Sequence, residues 1–431
     1  MNNSVSGIKS LLHPLVIVAA LGYMVDIYDM ILFNIVKKES LLALGLGGDQ
    51  YASNEILLFN WQLAGMLIGG FLWGVLGDKR GRLSVMFGSI ILYSVANIAN
   101  AFVTTLPAYA VVRFIAGIGL AGELGAGVTV VVEAMSKEYR GYGTMLIVTM
   151  GALGGVLASL MGSEGQQVAD SVNGTFGLQL AGWQMAYLIG GVLGLFLLFL
   201  RLGLHESGMF ARLKQSTVDR GNFLMLFAKP ILFRRYIYCF FIGLPTWYIV
   251  GIVLSLGLNL VEEQGVKNLV MSTVILYFYL GFTAGDLVNG ALGQLLKSRK
   301  KVIIGSLMFS VLVLVAYFFS SSSSPEFYYW LYFLIGFFAG YWALFITVSS
   351  EQFGTNIRAT VTTTIPNFVR GAAIIMTLGY KSLSEQFQEL TPYPKNTAAL
   401  VVGVICFSLA AYGIYKIRDT YNKELDYVET V

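Results

Sequence analysis

The sequence has few of the residues from which soluble enzymes build their sites. Only 12% of its 431 residues are charged, and it holds two cysteines and two histidines. Cys239 and Cys406 fall in separate apolar segments, and His13 and His205 are too few for a histidine-rich site, so disulfides and metal clusters are not predicted. No nucleophile and base stand at a spacing typical of catalysis. We therefore expect neither an enzyme nor a bound metal or cofactor.

The charge pattern also argues against a nucleic-acid partner. The formal net charge is +4, but the lysines and arginines lie in short connections rather than in blocks. The first apolar run begins at Pro14, is long enough to span a membrane and has no small-residue cleavage site after it. We therefore expect it to remain as a first helix.

Apolar sequence, in contrast, is abundant. Hydrophobic residues make up 56% of the chain, and the mean hydropathy is +0.71. Runs of about 20 apolar residues, each long enough to cross a bilayer, start near residues 14, 55, 83, 106, 144, 183, 236, 268, 302, 327, 359 and 397. Twelve such helices put both termini on one side, and most Lys and Arg fall there, so the positive-inside rule makes both termini cytoplasmic. The basic residues predicted on the outer side are Lys37, Lys38, Lys267, Lys381 and Lys395.

Two motifs recur half a chain apart. GVLGDKRGRLSVMFGS at 74–89 is matched by GALGQLLKSRKKVIIGS at 290–306, and EAMSKEYRG from Glu133 is matched by EQFGTNIRA from Glu351. The repeat predicts an all-α membrane protein made of two six-helix halves with a substrate site between them at mid-depth. The predicted units are an N-terminal bundle at 1–204, a cytoplasmic linker at 205–235 and a C-terminal bundle at 236–431.

The connection GVLGDKRGRL resembles the signature loop between the second and third helices of the major facilitator superfamily. Its characteristic positions are held here by Gly74, Asp78, Arg80, Gly81 and Arg82. RFIAGIGLAGELGAG from Arg113, EAMSKEYRG, and LRLGLHESGMF at 200–210 add to this resemblance. The last stretch is similar to an ending of the sugar-porter and metabolite:proton symporter branches, with Gly208 where a proline is usual. Gln294 stands where the acid of the second-half loop would be. The resemblance covers the whole chain and implies a twelve-helix secondary transporter.

The same loop can form a latch between helices. Asp78 can accept hydrogen bonds at the cytoplasmic end of the second helix, and Arg80 and Arg82 can reach carboxylates such as Glu133 or carbonyls at helix ends. Arg140, in the motif that Glu133 opens, completes the predicted gating set. A latch that breaks when the cytoplasmic side opens would bias the two access states. The alternative is that these basic residues only fix topology.

Carboxylates inside the first helix predict proton coupling. At 1.5 Å per residue, Asp29 lies about 22 Å from the cytoplasmic edge, and Arg113 in the fourth helix lies at matching depth. The two can pair, and when Arg113 moves away desolvation favours the protonated acid. Resemblance to the sugar porters implies the same role, whereas the alternative is a static ion pair. Asp26 is a second relay site or faces a cavity, and Glu123 either carries the proton inward or hydrogen-bonds backbone.

Arg370 predicts the class of substrate. It lies close to the midplane, about 16 Å into the eleventh helix, with no acid within a turn or two of that helix. We expect it to face the cavity and hold a carboxylate or phosphate with its fork, as resemblance to the organic-anion branch also implies. The alternatives are a pair with Asp26 or Glu123, or packing. The other residues predicted at the substrate site are Asn367, Asn60, Gln62, Trp247, Tyr248, Tyr277 and Trp342, and Trp61 and Tyr279 are expected around the same centre.

These features together predict a monomeric, multi-pass protein of the cytoplasmic (inner) membrane. We expect it to import a small organic anion with protons by alternating access, so its partners are the solute, protons and the lipid bilayer. The alternatives are a proton-antiport exporter of a metabolite or drug, a transporter of a neutral solute such as a sugar, and a receptor or scaffold on the same fold.

Overall fold

The computed structural model describes residues 14–135, 139–201, 223–320, 324–421 and 427–429, and its regular elements in these residues are helices. The first half contains α1 (Pro14–Ala43), α2 (Tyr51–Arg80), α3 (Arg82–Asn100), α4 (Leu106–Leu120), α5 (Glu123–Ala134), α6 (Arg140–Phe176) and α7 (Gly182–Leu200). The second half contains α8 (Met225–Ala228), α9 (Pro230–Tyr248), α10 (Gly257–Glu263), α11 (Met271–Leu295), α12 (Arg299–Phe319), α13 (Pro325–Ala339), α14 (Trp342–Glu351), α15 (Arg358–Gln386) and α16 (Pro394–Lys416).

Eleven segments of the described chain are long and apolar enough to cross a membrane, and they begin close to eleven of the predicted starts. Three of these segments each consist of two consecutive helical elements. α4 continues into α5, α9 continues into a π-helical turn at Ile249–Leu254, and α13 continues into α14. The protein is therefore a multi-pass, all-helical membrane protein.

The twelfth predicted helix, α15, has 29 residues but is too polar to be counted among the eleven. Its polar side chains are buried in protein, where Thr360, Thr363, Asn367 and Arg370 are each at most 2% exposed. Polar side chains that pack against protein do not face lipid, while the exposed positions of this helix include the apolar Ile375 and Leu378. Its place as a twelfth membrane span stays a prediction.

Contacts between the halves follow the sequence repeat. The repeated motifs at 74–89 and 290–306 put α2 and α11 in equivalent positions, and each packs on a helix of the other half, α2 on α15 and α11 on α6. Close approach requires glycine at Gly74, where a Cβ would lie 3.1 Å from the Thr360 backbone. These two crossings enclose the centre of the molecule.

The predicted linker at 205–235 can be compared only in part. Residues 205–222 lie outside the described residues, as do 202–204 at the end of the predicted first bundle. The described part contains α8 and the start of α9. The division into two bundles and a linker stays a prediction.

Candidate functional site

A small cavity lies at the centre of the molecule, between α1 and α6 of the first half and α9, α11, α14 and α15 of the second. Arg370, Trp247 and Trp342, three of the residues predicted at the substrate site, line it together with Tyr23 and Tyr279. Its volume of about 30 Å³ is that of one water molecule and far below that of a typical ligand pocket. The helices are therefore closed around this site.

Arg370 joins the two halves at this cavity. Its Nη2 donates to the hydroxyl of Tyr23 at 3.2 Å, its Nη1 donates to Asn367 Oδ1 at 3.1 Å, and its guanidinium lies 5.7 Å from the ring centre of Trp247. Asn367 is itself held by a 2.8 Å hydrogen bond from Nδ2 to the carbonyl of Ala121 in the first half. All these partners are neutral, and among the described residues no carboxylate lies within 4 Å of Arg370.

Asp26 follows Tyr23 by one turn of α1 and is fully buried. Within the described part of the chain neither of its carboxylate oxygens has a hydrogen-bond partner. Its strongest favourable electrostatic interaction is with Arg370, followed by that with Arg201, and Glu123 opposes both. The alternative pairing of Arg370 with Asp26 or Glu123 is wrong for this conformation, because no direct ion pair forms.

Asp29 and Arg113 lie near each other but not in direct contact. Both carboxylate oxygens of Asp29 lack a hydrogen-bond partner among the described residues, and no ion pair within 4 Å joins Asp29 to Arg113. Arg113 donates to Gln62 Oε1 instead and lies 4.4 Å from the ring centre of Phe33. The electrostatic attraction between Asp29 and Arg113 remains. The expected direct pair is thus absent in this conformation, and Nε and Nη1 of Arg113 also have no hydrogen-bond partner among the described residues.

Glu123 is the first residue of α5, directly after the break in the fourth predicted helix. Its Oε2 accepts from Arg201 Nη2 at 2.6 Å, and its Oε1 accepts from Arg201 Nη1 at 2.9 Å and from Ser89 Oγ at 2.7 Å. Of the two alternatives for Glu123, the hydrogen bond to backbone is not formed here, since side chains satisfy this carboxylate, and inward proton transfer stays a prediction. Gly22 of α1 lies against the pair, because a Cβ there would collide with Arg201.

Sequence reasoning missed Arg201, which it counted among the cytoplasmic basic residues that set topology. The side chain lies fully buried at the end of α7. The available signal was Glu123, a membrane acid without a basic partner in its own helix. Tyr23 was also missed, because only the packed structure shows which face of α1 turns toward Arg370.

Four residues predicted at the substrate site point elsewhere, and one of them is Gln62, which accepts from Arg113. Tyr248 donates to a backbone carbonyl of α16, and Tyr277 stacks on an aromatic ring of α13. Tyr279, expected at the same centre, does line the cavity, because two residues rotate a helix by about 200° and so present the opposite face. Asn60 accepts from Thr377 at 3.1 Å in the crossing of α2 and α15, outside the residues that line the cavity.

Asp78 connects the two halves at one end of the bundle. Its carboxylate accepts from the backbone N–H of Thr360 at 2.8 Å, from the Thr360 hydroxyl at 2.7 Å and from the N–H of Ala359 at 3.3 Å, all at the start of α15. It also forms an ion pair with Arg82 at 3.2 Å. An acid at a helix N-terminus neutralises unpaired N–H groups and the helix dipole, so this contact stabilises the packing of α2 on the start of α15.

The remaining residues of the predicted latch bond within the first half, are exposed, or have side chains outside the described part of the structure. Arg82 donates to the carbonyl of Gly77 at 3.1 Å, near the end of α2. Arg80 is exposed. The side chains of Glu133 and Arg140 lie outside the described part of the structure.

Lys37 connects the halves at the other end. Its Nζ forms an ion pair with Glu55 of α2 at 2.9 Å and donates at 2.9 Å to the carbonyl of Ser255, directly after the π-helical turn. All three residues line a vestibule of about 670 Å³ that opens at this end. The sequence analysis used Lys37 only as a marker of topology, because its two partners come from distant segments.

Comparisons with known proteins agree with this architecture. The family model of the Major Facilitator Superfamily matches residues 19–377. A sialic acid transporter of Escherichia coli (strain K12) is 27% identical over 290 residues, or 67% of this chain and 66% of that protein. A 3-(3-hydroxy-phenyl)propionate transporter of the same organism is 29% identical over 237 residues, or 54% of each chain, so the matches span less than two thirds of these relatives.

A solved structure has the same fold over nearly the whole length. The proton:xylose symporter bound to 6-bromo-6-deoxy-D-glucose superposes with a TM-score of 0.76 and covers 97% of this chain and 98% of its own. At 15% sequence identity this likeness concerns the fold alone.

Proposed function

The chain belongs to the Major Facilitator Superfamily, a family of membrane transporters, and from that premise we propose that it imports a small organic anion together with protons. Family membership confirms the prediction of a transporter rather than an enzyme. We further propose that both termini lie in the cytoplasm and that the protein resides in the inner membrane.

The main support for an anionic solute is the environment of Arg370. A guanidinium 1% exposed, with two neutral partners and an unpaired Nε, keeps an uncompensated positive charge in a low-dielectric centre. Such a charge attracts anions and repels cations, and its planar fork matches a carboxylate. The relatives named for sialic acid and 3-(3-hydroxy-phenyl)propionate, both carboxylic acids, support this class of solute.

Asp26 and Asp29 support proton coupling. Asp26 and Asp29 lie one turn apart on α1, and Arg370 attracts the carboxylate of Asp26 while Arg113 attracts that of Asp29. Two neighbouring carboxylates without hydrogen-bond partners among the described residues are cheaper to bury when they carry protons. A substrate carboxylate at Arg370 would weaken the attraction between Arg370 and Asp26, which links the proton to the solute.

The contacts at the two ends support alternating access. Asp78 joins α2 to α15 at one end, and Lys37 joins α1 and α2 to the segment after the π-helical turn at the other. Each contact must break for its own end to open, so the closed structure stands between the two open states.

Transport by the purified protein in liposomes tests the proposal. Labelled sialic acid, 3-(3-hydroxyphenyl)propionate and xylose are offered outside, with the lumen made alkaline, and protein-free liposomes correct for passive diffusion of the protonated acids. We expect a carboxylate to accumulate and a protonophore to abolish its accumulation. Accumulation of xylose without any carboxylate would replace the anion by a neutral solute. Faster uptake of the solute when the lumen is made acidic would identify an antiporter.

A further inference from the structure

A second cavity, of about 480 Å³, lies far from the centre, between the start of α9 and the end of α16. It is at the same end of the bundle as Asp78, because Gln352 at the end of α14 also lines it. Its charged lining residues are Arg234, Arg235, Lys416, Arg418 and Asp419. The proposed transport mechanism uses none of them.

The cavity has an excess of positive charge that its own acids do not neutralise. Arg235 forms an ion pair with Glu429 at 3.1 Å, which leaves Arg234, Lys416 and Arg418. Lys416 lies over two tyrosine rings, and no described residue forms an ion pair with any of these three. Each of them is exposed.

Asp419, the acid in the lining, is already occupied. Its carboxylate accepts from the hydroxyl of Ser298 and from the backbone N–H groups of Lys300, at 3.3 Å, and Tyr421, at 3.1 Å. Burial would raise the pKa of Asp419, but these hydrogen bonds, with one from the Arg299 backbone, hold its pKa below the usual value. The carboxylate therefore stabilises the start of α12 and is not available to the basic side chains.

The backbone that carries the basic residues is held in place. Lys300 Nζ donates to the carbonyls of Tyr415 and Ile417 at 3.1 and 2.9 Å, and Gln352 Nε2 donates to the carbonyl of Arg418 at 2.9 Å. The cations are thus presented by an ordered turn rather than by a free tail, which lowers the entropy lost when a ligand binds.

An apolar surface adjoins the cavity. Ile231, at its rim, is 64% exposed, and along α16 the exposed residues Val404, Tyr412 and Tyr415 recur on nearly the same face, at 65%, 48% and 73%. Tyr238 of α9 lines the cavity and packs edge-on against Tyr412, with ring centres 5.8 Å apart. Tyrosines at the junction of a charged and an apolar surface are typical of the membrane interface.

We propose that this cavity binds the phosphate headgroup of an anionic phospholipid, whose acyl chains lie along the exposed face of α16. Arg234, Lys416 and Arg418 hold the phosphate, since guanidinium groups pair with phosphate oxygens through two parallel hydrogen bonds. Basic pockets between helices on the cytoplasmic side bind anionic headgroups in this way. Free phosphate would share the charged contacts but not the apolar face, so the site favours the lipid.

Binding of defined lipids to the full-length, delipidated protein tests this site. Cardiolipin, phosphatidylglycerol, phosphatidylcholine and inorganic phosphate are titrated separately, and bound lipid is counted by native mass spectrometry alongside the melting temperature. We expect the two anionic lipids to bind and raise the melting temperature, with an effect that weakens as salt rises. Equal binding of phosphatidylcholine, or equal stabilisation by inorganic phosphate, would overturn the proposal.

Exposed residues permit a clean mutational comparison. The double variant Arg234→Gln/Arg418→Gln should bind anionic lipid at least tenfold more weakly, whereas Lys38→Gln/Lys395→Gln, which removes two lysines predicted on the opposite side, should bind as the wild type does. Wild-type affinity in the first variant contradicts the assignment. Because the readout is lipid binding, its outcome is independent of whether the protein transports an organic anion.

Discussion

The Nη2 atom of Arg370 in α15 donates a hydrogen bond to the hydroxyl of Tyr23 in α1, across the interface between the two halves of the protein, at 3.2 Å. A substrate carboxylate that takes this donor must displace the Tyr23 hydroxyl. Substrate binding is thereby connected to the packing of α1 against α15, and α1 also carries Asp26 and Asp29.

Replacing Arg370 tests the class of substrate. Arg370→Ala should lose most binding of the transported carboxylate, about 2 to 5 kcal/mol, as expected when one partner of a buried charge pair is removed. Arg370→Lys should keep anion selectivity with weaker affinity, because lysine retains the charge but not the fork. Calorimetric titration measures both. Tyr23→Phe is the matched control and should bind the carboxylate at least as tightly as the wild type, by up to about 0.5 to 1.5 kcal/mol, because no hydroxyl then has to be displaced from Arg370. Unchanged binding by Arg370→Ala would favour a neutral or cationic solute.

The sequence alone located most helices and identified charged residues that the structure buries at the centre, such as Arg370. Hydropathy gives the positions of apolar helices, and the rise per residue puts Arg370 near the midplane, where the structure brings it beside Trp247 and Trp342. Neither quantity gives rotation about a helix axis, which explains why Tyr277 and Tyr279 are both predicted at the site although only Tyr279 lines the cavity. Contacts between distant segments, such as Arg201 with Glu123 and Lys37 with Ser255, follow only from the packed bundle.

Lys37 is expected to hold the outer end closed. Lys37→Gln removes its ion pair with Glu55 and leaves that carboxylate, 4% exposed, without its partner, which should favour opening of the vestibule toward the centre. In a protein that lacks Cys239 and Cys406, a cysteine is substituted for Phe59, which lies below Lys37. In the Lys37→Gln variant this cysteine should react severalfold faster with an impermeant maleimide added outside. Lys38→Gln changes an exposed lysine of the same vestibule and is the matched control. Equal labelling in the two variants would mean that Lys37 does not gate.

Asp78 is expected to hold the opposite end closed. Asp78→Asn weakens the charge-assisted contacts to Thr360, Ala359 and Arg82, a loss of about 1 to 3 kcal/mol, and should shift the population toward states open at that end. A cysteine at Thr363, buried on α15 against α5, should then be labelled faster in inside-out vesicles.

The control for the latch is Arg80→Gln, which changes an exposed residue of the same loop. It should leave labelling at residue 363 as in the wild type. If Asp78→Asn also leaves it unchanged, the loop serves topology only, and the hydrogen bonds to the start of α15 contribute to folding rather than to gating.

The carboxylates of α1 provide the test of proton coupling. Asp29→Asn fixes the neutral form of the side chain near Arg113, so a proton can no longer be taken up and released there. We expect accumulation of the carboxylate against its gradient to be lost, while exchange of labelled for unlabelled solute across the membrane persists. Asp286→Asn is the matched control. Asp286 is an equally buried acid on α11, but its carboxylate accepts a hydrogen bond from the backbone N–H of Ala343 and is paired with neither Arg113 nor Arg370.

Asp26→Asn separates the two carboxylates. Asp26 interacts with Arg370 rather than with Arg113, so its charge competes with the carboxylate of the solute for the guanidinium. The substitution should remove that competition. The variant should then bind the solute tightly even at alkaline pH, whereas the wild type should reach the same affinity only when Asp26 is protonated. Affinity measured across pH in the wild type and in both variants distinguishes the roles. If Asp29→Asn still concentrates the solute as the wild type does, Asp29 is not the coupling site. If Asp26→Asn keeps the wild-type pH dependence of binding, Asp26 does not compete with the solute for Arg370.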